Sequence, residues 1–425
     1  MIEHTLELAS GQKLSNRLIK AAMTEGLAGP NGWPTPAHAR LYRTWSEGGA
    51  AALITGNIMI DRRYLERAGN VIVEDDSALP ALADWAAAVH AGGSTLWGQI
   101  SHPGRQCPRQ ICGTPLAPSA IKLDLARNFG EPRAATAADI AEITERFVRT
   151  ASLLQQAGFD GVQIHAAHGY LLSQFLSQRT NLRDDQWGGS LANRARLLLD
   201  VVRAVRARVG DRFTISVKLN SADFVQGGFT LEECLQVVDW LSLAKVDLLE
   251  ISGGTYESLV MFSAIPEDQI RTSTRRREAT FLEYAEAIKQ VAIMPVMVTG
   301  GFRTSSGMKR ALQQGTTDAI GIARPFCLVP DLPKRLMSQA LEVLPIPESE
   351  LVLGSGYWGP NSRSAIMRTM NNLCQASWYY HQIECLAAGT APEPDFSPRR
   401  AFIRHVVQDF ARIRRHRRHA MQLSR

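Results

Sequence analysis

Short apolar runs alternate with longer amphipathic segments eight times along this chain, and that alternation restricts the fold more than any other property of the sequence. The runs predict strands at Leu18–Met23, Ala51–Thr55, Thr95–Ile100, Gly161–His165, Phe213–Leu219, Asp247–Ile251, Pro295–Thr299 and Ala319–Ala323. Each has strand length and is mostly apolar. Helices are predicted between them over Pro36–Glu47, Ser77–Ala91, Ala137–Ala157, Leu191–Val209, Thr230–Ala244, Glu278–Val291 and Ser305–Gln314, several of them stopped by glycine. Strand followed by helix, repeated, implies a parallel sheet. Eight such units, with no G-x-G-x-x-G turn after the first strand, point to a closed (β/α)8 TIM barrel of the α/β class and not to an open doubly wound sheet. A β-hairpin is expected ahead of it, from Thr5 to Leu8 and Lys13 to Leu14 across Ser10 and Gly11. The barrel is assigned to residues 1–340, and a C-terminal helical extension with a basic tail to 341–425.

A chain of 425 residues with 45% hydrophobic and 21% charged side chains can bury a large core and is not of disordered composition. The net charge of +6 invites a nucleic-acid reading, but nine arginines and one acid, Asp409, lie from Arg399 onward. That segment carries +8 and everything before it −2, so the barrel is nearly neutral. Six dispersed cysteines form neither a disulfide framework nor a spaced metal cage, and no run of about 18 apolar residues suggests a membrane span. The opening residues lack a signal-peptide layout, so a cytoplasmic protein is expected.

Chemistry in such barrels gathers on the loops after the strand C-termini. The fourth strand runs into His165, His168 and Tyr170, two imidazoles and a phenol. Imidazole N–H groups can hold a carbonyl oxygen while negative charge builds on it, and a phenol within hydrogen-bond reach is a usable proton donor. An isolated H-x-x-H reads equally well as a pair of metal ligands or as satisfied structural histidines. The Pro- and Gly-containing connection Ser101–Thr136 is a candidate substrate lid.

The string Ala157–Ser177 resembles the signature of the old yellow enzyme family, the NADH:flavin oxidoreductases. Further marks follow in the family's order: Asn16 and Arg17, Ala21 to Thr24, Thr55 to Asn57, Gln99 to Arg105, Asn181, Asp184, Gly188 and Gly189, Asn193 and Arg194, Lys218, Ser252 to Gly254, Gly300 and Gly301, and Gly321 to Pro325. The resemblance covers about residues 1 to 335. It implies FMN, held non-covalently, with NAD(P)H as reductant and an enone-like small molecule as substrate. It implies that His165 and His168 bind the substrate's electron-withdrawing oxygen and that Tyr170 protonates carbon. Cofactor contacts are implied for Ala22, Met23, Thr24, Gly56, Gln99, Lys218, Ser252, Gly253, Gly300, Gly301, Arg303, Gly321, Ala323 and Arg324. Thr24 matches the residue that hydrogen-bonds the flavin ring. Gln99 and Lys218 match residues that read its pyrimidine edge, where reduction leaves negative charge that a cation stabilises. The phosphate needs close backbone N–H groups and glycine, which Gly300, Gly301 and Gly321 supply beside Arg303 and Arg324.

The sequence departs from larger relatives in lacking a closely spaced cysteine cluster, so no iron–sulfur centre is expected. After Thr24 it reads Glu25 and Gly26, small and acidic where relatives place bulk. Ala365–Ala388, with Trp378, Tyr379 and Tyr380, is expected to pack on the barrel's outside as core or as a subunit interface, which leaves a homo-oligomer open. Two rival readings stand beside the first. A tRNA dihydrouridine synthase-like enzyme would use Cys107 or Cys112 as proton donor, but nucleic acid is disfavoured by a tail without interleaved aromatics. A non-catalytic flavin-binding scaffold would have no need of His165, His168 and Tyr170 together.

Overall fold

The computed structural model describes residues 1–123, 128–252 and 283–423, the last five of these as backbone only. Eight parallel strands form a ring: β1 (Leu18–Lys20), β2 (Ala52–Ile54), β3 (Thr95–Ser101), β4 (Gly161–Ala166), β5 (Thr214–Asn220), β6 (Leu248–Ser252), β7 (Val296–Thr299) and β8 (Ala319–Ile322). Each pairs with the next, β8 pairs with β1, and the ring has no free edge. The eight-strand barrel read from the sequence is therefore the fold. The first strand is shorter than predicted, although Ala21 N–H still reaches Ile322 O at 2.8 Å.

The outer helices are α1 (Pro36–Glu47), α2 (Leu79–Ala91), α3 (Ala137–Gln156), α4 (Leu191–Val209), α5 (Leu231–Leu243), α6 (283–291) and α7 (Ser305–Gln313). Several of their starts follow side-chain capping. Thr136 accepts from Asp139 N while the Asp139 carboxylate accepts from Thr136 N, and Thr230 with Glu233 repeats the arrangement. The residues from Asp76 to Ala78 make a 3-10 turn, so α2 begins two residues later than predicted. The part of the predicted Glu278–Val291 helix before 283 lies outside the described residues.

The hairpin Leu6–Glu7 with Lys13–Leu14 plugs one end of the barrel. Leu6, Leu8 and Leu14 pack with Ile19, Trp97, Leu248 and Met297, and Trp97 Nε1 donates to Gln12 Oε1 at 2.9 Å. Chemistry is thereby left to the opposite mouth, at the strand C-termini.

Two expectations about that mouth are corrected. No described residue of Ser101–Thr136 lines the cavity there; instead Gln106 Nε2 donates to His168 O at 2.9 Å and Leu171 N to His102 O at 3.0 Å. The described part of the segment buttresses the loop after β4 and lines none of the cavity. Beyond the barrel, α8 (Ala365–Ala388) and α9 (Pro398–Leu423) follow, and α8 packs on α1 and on the turn Arg324–Cys327. One face of α8 looks into the cavity and is not spent on the barrel's outside. The basic α9 is partly docked: Arg67 pairs with Asp409 at 2.8 Å, and Arg412 reaches Glu384 at 3.4 Å. No described helix is long and apolar enough to cross a membrane.

Candidate active site

A cavity of about 410 Å³ opens at the strand C-termini, within the range of roughly 300–1,000 Å³ usual for small-molecule sites. Its walls gather Ala22, Met23, Thr24, Gln99, His165, His168, Tyr170, Lys218, Ser252, Gly300, Gly301, Arg303, Gly321, Ala323 and Arg324. Gly253 lies outside the described residues. Gly56 does not reach the cavity. Its N–H donates to Glu25 Oε1 at 2.8 Å, and a Cβ there would stand 2.6 Å from Thr24 Cα. Its smallness serves close packing behind Thr24.

His165 ends β4, and its Nδ1 accepts from Ala167 N at 3.2 Å, which puts the ring proton on Nε2. His168 sits at φ 62, a left-handed conformation held by its N–H on Asn220 Oδ1 at 3.2 Å and by Gln106 on its carbonyl. Its Nε2 lies 2.8 Å from Ser252 Oγ. Tyr170 is 4% exposed, and its ring meets His165 edge-on at 4.8 Å. Burial, with the neighbouring Lys218 charge, holds both imidazoles well below the usual histidine range. They are neutral at neutral pH and act as hydrogen-bonding groups, not as cations.

Below them runs a buried polar chain that strand register dictates. Gln99 is opposite Gln163, His165 opposite Lys218, and Lys218 opposite Glu250. Gln99 Nε2 donates to Gln163 Oε1 at 2.7 Å, Gln163 Nε2 to Glu250 Oε2 at 2.7 Å, and Lys218 Nζ sits 2.8 Å from Glu250 Oε1. Lys218 therefore meets the cavity as half of an ion pair and does not snorkel to solvent.

Also on the cavity wall, Gly300 and Gly301 have φ 96 and 82, conformations open to glycine and costly for other residues. Gly321 is opposite Thr299, and a Cβ on it would fall 1.9 Å from Thr299 Oγ1. Thr299 Oγ1 is buried and has no hydrogen-bond partner among the described residues. Arg324 pairs with Glu348 at 3.1 Å.

Several wall residues escaped the sequence reading. Glu66, in the charged stretch Asp61–Arg67, accepts from Thr24 Oγ1 at 3.0 Å. Gln375, Tyr379, Tyr380 and Ile383 come from α8, whose aromatic run reads from sequence as core or subunit interface. Behind Thr24, Lys20 is fully buried, donating to Ile54 O at 2.8 Å and Tyr42 OH at 3.1 Å, and burial brings its amine down to about 8. Tyr42 OH in turn donates to Glu25. Cys107 and Cys112 stay outside the cavity walls, and burial raises the Cys107 thiol to about 12. A cysteine proton donor is thus not where the dihydrouridine synthase reading needs one.

The family model for the NADH:flavin oxidoreductase / NADH oxidase family matches residues 6–342. The chain belongs to that family. This flavin oxidoreductase is 36% identical over 352 residues to the NADH-dependent flavin oxidoreductase iliE of Hypocrea jecorina, covering 78% of this chain and 88% of iliE. It is 38% identical over 333 residues to the NADH-dependent flavin oxidoreductase nadA of Aspergillus parasiticus, covering 75% and 74% of the two chains. The structure of the old yellow enzyme homologue from Zymomonas mobilis superposes with a TM-score of 0.69 at 27% identity, covering 82% of this oxidoreductase and 95% of that chain. The family match stops before α8, so the wall formed by Gln375, Tyr379, Tyr380 and Ile383 is supplied from beyond the matched region.

Proposed function

We propose that this flavin oxidoreductase binds FMN non-covalently in the cavity and uses NADH or NADPH to reduce the activated C=C bond of an α,β-unsaturated carbonyl or related compound. The observation that carries the reading is the convergence of two neutral imidazoles and a buried phenol on one wall, above the Gln99–Gln163–Glu250–Lys218 chain. When bound, the flavin supplies hydride transfer between the nicotinamide and the substrate carbon.

The wall residues fit that cofactor. With Gln99 Nε2 committed to Gln163, its Oε1 is left to accept from the pyrimidine edge, and Lys218 brings positive charge beside it. Ala22, Met23, Thr24 and Ser252 border the ring. The phosphate falls to Gly300, Gly301, Arg303, Gly321, Ala323 and Arg324, with the unpartnered Thr299 Oγ1 as a further donor. Glu348 on Arg324 has to yield to or share with the phosphate.

His165 Nε2–H donates to the substrate's carbonyl oxygen. If Ser252 Oγ–H donates to His168 Nε2, the His168 proton rests on Nδ1, and a second donor becomes available to the same oxygen. Neutral donors suit this task because they stabilise charge on oxygen without surrendering a proton to it. Tyr170 delivers its hydroxyl proton to the α-carbon. Under anaerobic conditions the FMN-loaded protein should bleach with NADH and recover its yellow colour on adding cyclohexenone. Protein that retains no FMN, or that bleaches and is reoxidised by oxygen but by no enone, nitroalkene or unsaturated thioester, overturns the proposal.

A further inference from the structure

We propose that His381, Cys385 and Glu393 form a divalent-metal site of the Zn²⁺ class at the C-terminal end of α8, separate from the active-site cavity. His381 and Cys385 are four residues apart and so share one helix face. At 100° per residue that face lies about 180° around α8 from the one carrying Tyr379, Tyr380 and Ile383, so it looks away from the cavity. The helix ends at Gly389, whose φ of 83 turns the chain back and carries Glu393 over the two side chains.

The donor atoms converge. His381 Nε2 lies 3.0 Å from Glu393 Oε2 and 3.7 Å from Cys385 Sγ, and all three atoms are within 4.8 Å of one another. A tetrahedral Zn²⁺ with bonds of about 2.0–2.3 Å places its ligand atoms roughly 3.3–3.6 Å apart. Closing the set needs a shift of about 1 Å in the Glu393 carboxylate, which is the mobile member: its side chain is 56% exposed, against 5% for His381. The open side leaves room for water as a fourth ligand.

The plainer account is that the His381–Glu393 pair merely fastens the turn after α8. That fastening is already done. Gln382 Nε2 donates to Glu393 O at 3.0 Å, Glu393 N donates to Gln382 Oε1 at 2.7 Å, and Trp378 Nε1 donates to Phe396 O at 2.9 Å. The turn does not require the Glu393 carboxylate, the imidazole or the thiol. Phe396 stacks on His381 at 3.7 Å and restrains the ring plane. A thiol, an imidazole and one carboxylate select Zn²⁺ or Co²⁺ over Mg²⁺ and Ca²⁺, and the thiol proton leaves to solvent as the metal binds.

Co²⁺ added to the flavin-free full-length protein under reducing conditions is the probe. One equivalent should bind, with a thiolate-to-cobalt charge-transfer band and tetrahedral visible bands, and Zn²⁺ should displace it. Cys385→Ser should abolish the charge-transfer band. Glu393→Gln, a change at an exposed side chain, should weaken binding more than roughly 10-fold. Zn²⁺ should raise the melting temperature of the native protein and leave that of Cys385→Ser unmoved, with both proteins showing native far-ultraviolet circular dichroism. A cobalt spectrum without the thiolate band, a band that survives Cys385→Ser, or equal affinity in Glu393→Gln overturns the site.

Discussion

Thr24 gives its hydroxyl proton to Glu66, with Oγ1 3.0 Å from Oε2. The carboxylate is fixed in turn by Asn70 Nδ2 at 3.2 Å, and Asn70 Oδ1 accepts from Arg67 N at 2.8 Å. A threonine has one proton, so Thr24 meets the cavity as an acceptor, where its family counterpart is expected to hydrogen-bond the flavin ring. On the FMN reading, Glu66→Ala removes both the acceptor and a negative charge, so the Thr24 proton is freed and the midpoint potential of the bound flavin rises. Thr24→Ala should then lower the potential in the Glu66→Ala background and barely move it in the native protein. Equal effects of Thr24→Ala in the two backgrounds, by dye-equilibrated potentiometry, would refute this coupling.

The proposed roles of the imidazoles and the phenol separate kinetically. His168→Ala should weaken phenol binding and slow reoxidation by cyclohexenone about 100-fold or more, the usual loss for one oxyanion donor. Tyr170→Phe should slow the same step by about 100-fold or more through lost proton delivery. Flavin reduction by NADH in Tyr170→Phe should stay near the native rate. Stopped-flow traces with unchanged reoxidation in both variants would remove these residues from the chemistry.

Gly321 is a steric requirement of strand register. Its Cβ would sit 1.9 Å from Thr299 Oγ1 and 3.0 Å from Thr299 Cβ, and a β-branched side chain cannot easily swing away. Gly321→Ala should cost about 1–3 kcal/mol of stability in urea denaturation and reduce FMN retention. Adding Thr299→Ala should recover most of the stability. A fully stable single variant would show that β8 relaxes without cost.

The barrel was legible because eight buried strands and their glycine-stopped helices repeat one local pattern, and each local pattern is carried by a few consecutive residues. Most of the cavity wall was legible because His165, His168, Lys218 and the glycines of β7 and β8 stand at strand ends, where topology alone brings them together. What stayed hidden depends on long-range packing. Glu66 sits in a stretch rich in arginine, and nothing local says that its carboxylate turns inward to Thr24. Tyr379 and Tyr380 follow a helical period that separates one face from another but does not name the partner of either. Gly56 matched its motif, yet the structure spends it on Glu25 behind the wall.

The ion pair of Lys218 and Glu250 is buried, with side-chain exposures of 5% and 0%. Removing one partner leaves the other as an uncompensated buried charge. Lys218→Met should therefore cost roughly 3–5 kcal/mol, and the double variant with Glu250→Gln should cost less than the single one. The glutamine amide can keep the Gln163 contact through its oxygen, which accepts from Gln163 Nε2 as the carboxylate does. Equal denaturation midpoints for the single and double variants would mean that the two charges are solvated independently.

Acid should destabilise this protein over a window set by buried histidines. Burial brings His102 and His405 down to about 4, and it lowers His38, His165 and His168 as well. The unfolded chain takes up these protons near pH 6.5, while the folded chain resists to about 4 in the first two cases. Between those values the unfolded state binds more protons, so stability falls as the pH drops below about 6.5. Each such group contributes at most about 1.4 kcal/mol per pH unit within its window. The urea midpoint at pH 5 should lie clearly below that at pH 7.5, and His102→Gln should flatten the slope. A midpoint that stays level from pH 7.5 to 5 would mean that these imidazoles are reached by water and titrate as they do in the unfolded chain.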